Sequence, residues 1–212
     1  MGLGVLVLGK SGTGKSCSLR NFGAGDVSII NVNGKPFPFK NNFDKVFATD
    51  KANVIKAGLT KASTKTIIID DSQYIMANEY MRRSNEKGFG KYEEIGRNFW
   101  DLVMSVRDLP EDVIVYFLHH EETDEFGGVS AKTQGKMIDN HICLEGMFSI
   151  VLRSRCQDGH YYFQTHNGGN DTVKTPMGMF EADLIENDLK LVDSQIREYY
   201  GFNIKEKATK GE

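Results

Sequence analysis

The sequence predicts an α/β fold of three layers: a mostly parallel central sheet flanked by helices, with a β-hairpin and a helix at the carboxyl end. Three observations predict it. The apolar run Leu3-Gly4-Val5-Leu6-Val7-Leu8 leads into the glycine-rich turn Gly9-Lys10-Ser11-Gly12-Thr13-Gly14-Lys15-Ser16. A second run, Thr66-Ile67-Ile68-Ile69, ends in Asp70-Asp71, and a third, from Val113 to Leu118, ends in His119-His120-Glu121. Short unbroken apolar runs of this kind are buried parallel strands, and in open sheets ligands lie beyond the strands' carboxyl ends. The length of 212 residues fits one large domain, placed over 1–202, with 203–212 a polar, flexible tail.

The first turn matches the phosphate-cradle pattern G-x-x-x-x-G-K-[S/T] at Gly9, Gly14, Lys15 and Ser16. Each position has a physical task. The glycines let backbone N–H groups of the turn, through Lys10, Ser11, Gly12 and Thr13 to Cys17, crowd around phosphates. A helix starting at the end of the turn adds unpaired donors and a positive dipole end. Lys15 is expected to reach the β- and γ-phosphates of a nucleotide, and the Ser16 hydroxyl to ligate Mg²⁺. Asp70 arrives where that Mg²⁺ needs a further oxygen, and Asp71 where an attacking water could be polarised. Neighbouring strand residues point to opposite faces, so only one of His119 and His120 can face the nucleotide.

The elements run in order along the chain. A short helix is expected from Lys15 to about Phe22, stopped by Gly23 and Gly25, with Cys17 as a small packing residue. Val27–Asn33 reads as the second strand, Pro36 and Pro38 break regular structure after it, and Lys45–Ala48 is a short strand. Helices are expected from Asp50 to Gly58 and from Ser72 to about Asn85. Then comes a basic stretch with Arg82, Arg83, Lys87 and Lys91 around Phe89, a platform suited to single-stranded nucleic acid. A helix from Tyr92 to Arg107 carries Ile95, Phe99, Leu102, Val103 and Val106 on one core-facing stripe, with Trp100 packing beside it. Residues 121–136 read as a long glycine-rich loop with Lys132 and Lys136, and Met137–Cys143 as a short helix. Phe148–Arg153 and His160–Thr165 form a hairpin through Gln157-Asp158-Gly159. Lys174 lies in an extended segment from which it could project toward a neighbouring subunit. Leu189, Val192, Ile196 and Tyr199 stripe a last helix that stops at Gly201.

Bulk properties narrow the function. A net charge of −3 gives no whole-chain basic field, so nucleic acid would have to be met by a local patch. Cys17, Cys143 and Cys156 read as reduced thiols, since their spacing with His141, His160 and His166 fits no zinc finger or ribbon. No apolar run is long enough for a bilayer, and neither a secretion signal nor an anchor is read, which suggests a cytoplasmic protein. A small-molecule kinase would need an arginine-rich lid, and 121–136 contains no arginine.

GKSGTGKS at 9–16, TIIIDDS at 66–72, VIVYFLHHEE at 113–122 and DTVKTPMGMF at 171–180 together resemble P-loop ATPases of the RecA-like type. More narrowly, the chain is similar to the small AAA-type ATP-binding proteins of tailed phages, which are linked to recombination and single-strand annealing. The resemblance implies that the strand ending at His120 lies between the phosphate-loop strand and the Asp70 strand. It makes His120 the sensor and 82–91 and 121–136 the counterparts of DNA-contacting loops. It implies ATP and Mg²⁺ as ligands, a homo-oligomer, and single-stranded DNA or a phage single-strand-binding or replication protein as partners. A cation from a neighbouring subunit, Lys174 or else Arg153 or Arg155, would complete the site. The sequence departs from RecA proteins at one point: no glutamate stands between Cys17 and Asp70, where they carry a catalytic one. The departure implies that Asp71 takes that role or that turnover is slow.

Overall fold

Alternating apolar side chains on the first strand feed two cores, one on each face of the sheet. In the computed structural model, which describes residues 1–134 and 142–202, β1 (Leu3–Gly9) turns Leu6 and Leu8 to one face and Val5 and Val7 to the other. All four are fully buried. Burial of each contributes about 1.5–3 kcal/mol relative to exposure. The first face is covered by α1 (Ala52–Leu59), α2 (Gln73–Arg82) and α3 (Gly90–Ser105) through Ile55, Leu59, Ile75, Met76, Ile95 and Phe99. The second is covered by Leu19 and Phe22 after the phosphate loop and by α4 (Leu189–Tyr200) through Leu189, Val192 and Ile196. This is the three-layer α/β arrangement that the sequence predicts.

The remaining strands are β2 (Val27–Asn31), β3 (Val46–Ala48), β4 (Thr66–Asp70), β5 (Ile114–Thr123), β6 (Val129–Ala131), β7 (Ile150–Gln157), β8 (His160–Gln164) and β9 (Leu184–Glu186). They form one sheet in the order β3-β2-β4-β5-β1-β7-β8-β9, with β6 paired to β5. From β3 to β7 every neighbour is parallel, and β8 and β9 add an antiparallel wing. β5 separates β1 from β4. In register, Gly9 stands beside His120 and Ile69 beside Phe117, so the three chemical landmarks end at one level.

The other end of the sheet is tied to α4 by a buried polar cluster. The Tyr116 hydroxyl donates to Asp193 Oδ1 at 3.0 Å, and the Arg197 guanidinium reaches Asp193 Oδ2 at 2.7 Å and the Lys65 and Asp112 carbonyls. Asp188 caps the first turn of α4, and Gly201 ends it at φ 69°, a left-handed C-cap.

Several expectations are corrected. Lys15–Phe22 is not a full helix: only Ser16–Leu19 forms one 3₁₀ turn. Few residues separate the loop from Gly23, too few to sustain an α-helix, and Ser16 and Ser18 favour local bonds, as Ser18 Oγ shows by donating to the Lys15 carbonyl at 2.6 Å. Residues 121–136 are not all loop either. β5 runs on to Thr123 and pairs with β6, because Val129 and Ala131 are buried and the Asp124 carboxylate accepts from the Phe126 and Gly128 N–H groups of the turn. Trp100 and Tyr199, expected to pack, are 39% and 44% exposed. The hairpin turn holds, with Asp158 and Gly159 both left-handed at φ 51° and 78°. Most of the expected helix 137–143, with Lys136 and the tail 203–212, lies outside the described residues. Among the described residues no helix is long and apolar enough to cross a membrane.

Candidate functional site

The tips of β1, β4 and β5, with the segment after β2, enclose a cleft of about 350 Å³. Its floor is the loop 9–16. Gly12 and Gly14 hold φ of 80° and 97°, which a side chain would strain, and they turn the backbone around the cleft. Lys15 is only 6% exposed, and its Nζ donates to the Gly9 and Lys10 carbonyls at 2.7 and 2.9 Å. Burial lowers its pKa to about 8, against the pull of the Asp71 and Asp70 carboxylates. The loop is braced from within and from behind. Thr13 Oγ1 donates to the Lys10 carbonyl, Ser154 Oγ of β7 to the Thr13 carbonyl, and Asn187 Nδ2 to Ser154 Oγ at 3.3 Å. Ser11 and Lys10 are exposed, and Cys17 lines the cleft.

Beside the loop, Ser16 Oγ donates to Asp70 Oδ1 at 3.0 Å. Burial raises the Asp70 pKa to about 6, helped by the Asp71 carboxylate and opposed by Ser16 and Lys15. One hydroxyl and one carboxylate are the hard oxygen donors that suit Mg²⁺. Among the described residues no group of three or more His, Cys, Asp or Glu is placed to hold a metal. A cation at Ser16 and Asp70 would therefore share its remaining ligands with a polyphosphate and water.

Asp71 has a left-handed φ of 63°, a strained value for a residue with a side chain, and it turns its carboxylate into the cleft. Three donors hold it there. His120 Nε2–H donates to Oδ1 at 3.3 Å, and Asn33 Nδ2 and Lys35 Nζ both donate to Oδ2 at 2.9 Å. Burial alone would raise the Asp71 pKa, but these bonds outweigh it and hold the carboxyl below the usual range. Tyr74 supports the group, with the His120 ring edge-on at 5.7 Å and Lys35 Nζ 5.2 Å from its centroid.

The two histidines are used in opposite ways. His120 lines the cleft. His119 is fully buried on the other face, its Nε2–H donating to the Lys132 carbonyl and its Nδ1 accepting from Ser72 Oγ, each at 2.9 Å. Burial lowers its pKa to about 4, so it stays neutral.

Among the described residues, the expected nucleic-acid residues Arg82, Arg83, Lys87, Phe89, Lys91 and Lys132 lie elsewhere, and none of them lines the cleft. Arg82 pairs with Asp50, and Arg83 with Glu79, Glu86 and Glu94. Lys91 is buried: its Nζ donates to the Arg83, Ser84 and Glu86 carbonyls and lies over the Tyr80 and Tyr92 rings. Lys87, Phe89 and Lys132 are exposed. Of the candidate trans cations, Arg153 is gripped by Glu121 through two bonds of 2.8 Å. Arg155 reaches Gln164, and Lys174 is exposed on a segment bridged to Val151.

Asn31, Asn33, Lys35 and Tyr161 belong to the site or its walls and were missed from the sequence. Asn31 ends β2 and its Nδ2 donates to the Lys35 carbonyl at 2.7 Å, shaping the turn that delivers Lys35. The rule that ligands gather at strand ends would have marked this segment. For Tyr161, on a hairpin distant in sequence, no local signal exists.

The family pattern of the AAA domain matches residues 1–175. No curated protein matches the chain. The matched span covers the phosphate loop and every residue around Asp70, Asp71 and His120 described above, and the chain belongs to the AAA-domain family of P-loop proteins.

Proposed function

We propose that the chain binds ATP with Mg²⁺ and hydrolyses it, acting as an oligomer on single-stranded DNA in phage recombination or replication. One observation carries the nucleotide part: Lys15, the Ser16–Asp70 pair and the Asp71–His120 pair converge on one cleft. The loop amides and the Lys15 ammonium take up the negative charge of the β- and γ-phosphates. Ser16 and Asp70 are the residues that would hold Mg²⁺, which when bound neutralises charge on the phosphate oxygens. Asp71 stays a carboxylate at neutral pH, so it accepts a hydrogen bond from the attacking water and orients it, with His120 fixing its direction. Lys174 of a neighbouring protomer supplies the last cation, a contribution of about 10³–10⁵ in rate for such groups. On this reading an isolated protomer turns over slowly.

A second reading, a nucleotide-dependent adaptor with negligible turnover, is favoured by one feature. Both Asp71 oxygens already accept from His120, Asn33 and Lys35, and the tip of β2 carries asparagines where RecA proteins have a glutamate. The test is ATP turnover with and without single-stranded DNA, alongside molar mass in solution. Turnover that rises with DNA, in an oligomer, supports the first reading. Tight ATP binding with flat, near-zero turnover supports the second.

A further inference from the structure

The cleft has two ends of different chemistry. Toward β5 and β4 stand His120, Asp71, Asp70 and Lys35, the end for metal, water and the terminal phosphate. On the opposite side of β1 lie β7 and β8, and from that wing a single residue, Tyr161, lines the cleft. It shares a sheet face with Phe163, two residues on, which is fully buried in the core under the phosphate loop. Tyr161 therefore stands at the upper rim of that core, 45% exposed. Its ring packs against the loop so closely that a Cβ on Gly14 would lie 2.9 Å from Cδ1. The same Cβ would lie 3.1 Å from Asn187 Oδ1, an atom with no hydrogen-bond partner among the described residues.

A triphosphate threaded along the loop with its terminal group at the acidic end must leave toward the β7–β8 side. We propose that the Tyr161 ring is the stacking platform for the base of the bound nucleotide, and that it gives the site a preference for purines. This inference rests on the nucleotide reading above. A flat ring reads overlap area rather than base edges, so a two-ring base gains more than a one-ring base. The Phe37 ring also lines the cleft, from the segment after β2, but it packs with Phe39 and Phe43 against the core, which leaves Tyr161 as the ring on the β8 side.

The test is equilibrium binding of ATP, CTP and inorganic tripolyphosphate, each with Mg²⁺, to wild type, Tyr161→Ala, Tyr161→Phe and Phe37→Ala. Wild type is expected to bind ATP more tightly than CTP or tripolyphosphate. Tyr161→Ala should weaken ATP by about 5- to 100-fold, leave tripolyphosphate unchanged and level the ATP and CTP affinities. Tyr161→Phe should keep the wild-type order. Equal losses for ATP and tripolyphosphate in Tyr161→Ala would make the tyrosine only a prop for Gly14 and overturn the proposal, as would a loss carried by Phe37→Ala instead. Should wild type bind neither ATP nor tripolyphosphate, the nucleotide reading itself falls, and the stacking role with it.

Discussion

Two basic, glycine-bearing segments stand out in this sequence, 9–16 and 82–91, and the fold uses their charges in opposite ways. Lys15 is nine-tenths buried, its partners are backbone carbonyls of its own loop, and no carboxylate among the described residues forms an ion pair with it, so its charge faces the cleft unneutralised. In the second segment Arg82, Arg83 and Lys91 are engaged with partners of the chain itself, while Lys87 is exposed. Arg82 and Arg83 answer Asp50, Glu79, Glu86 and Glu94, and Lys91 stitches three carbonyls into the start of α3. What separates the two lysines is position, since both face backbone carbonyls: Lys15 lines the cleft and Lys91 does not. Charge counts in the sequence do not reveal that.

Substitution can break this contrast. The largest expected effect is Lys15→Ala, which should weaken ATP binding by at least about 100-fold, since a charge-assisted contact in a buried site is lost with no substitute. Thermal stability should change little, because the two lost carbonyl bonds are offset by relief of the desolvation that lowers the Lys15 pKa to about 8. Unchanged ATP affinity would dissolve the special status of the loop. Lys91→Ala should do the reverse. Three carbonyls lose their donor, so the unfolding free energy should drop by about 1–3 kcal/mol, read by denaturant titration, with ATP affinity intact. A variant that stays as stable as wild type but loses DNA binding would return the segment to the nucleic-acid role read from the sequence.

The smallest effect sharpens the contrast through pH. Lys15 has its pKa lowered to about 8 by burial, and bound phosphates would favour the protonated form. Below pH 8 the lysine is already charged and affinity should be level. Above it, binding must draw a proton from solution, so the ATP dissociation constant should climb by up to about tenfold per pH unit. A titration that stays flat from pH 7 to 9.5 would mean that Lys15 is not the phosphate contact.

The same contrast explains how much was legible. Strand runs such as Thr66–Ile69 and Ile114–Leu118 are apolar because both sheet faces are covered, so their place in the fold shows in composition alone. The loop 9–16 was legible because phosphate binding by backbone amides dictates glycines at fixed spacing. Asn33 and Lys35 were not, since they act only once β2 is laid beside β4 and the left-handed turn at Asp71 brings its carboxylate to them. The failure of the helix at 15–22 has a similar root: periodicity over so few residues says nothing about length, and Gly23 leaves room for one turn. The extension of β5 to Thr123 depended on a partner strand, β6, too short to register by alternation.

The central claim is that a nucleotide's phosphates lie on the loop 9–16, between Lys15 and the Asp70–Asp71 corner. A crystal structure with Mg²⁺ and a non-hydrolysable ATP analogue tests it most directly. The expected result is the β- and γ-phosphates within hydrogen-bond reach of Lys15 Nζ and the loop amides, with the metal beside Ser16 and Asp70. A nucleotide seated anywhere else, or a loop that keeps Lys15 on the Gly9 and Lys10 carbonyls at saturating analogue, would contradict it.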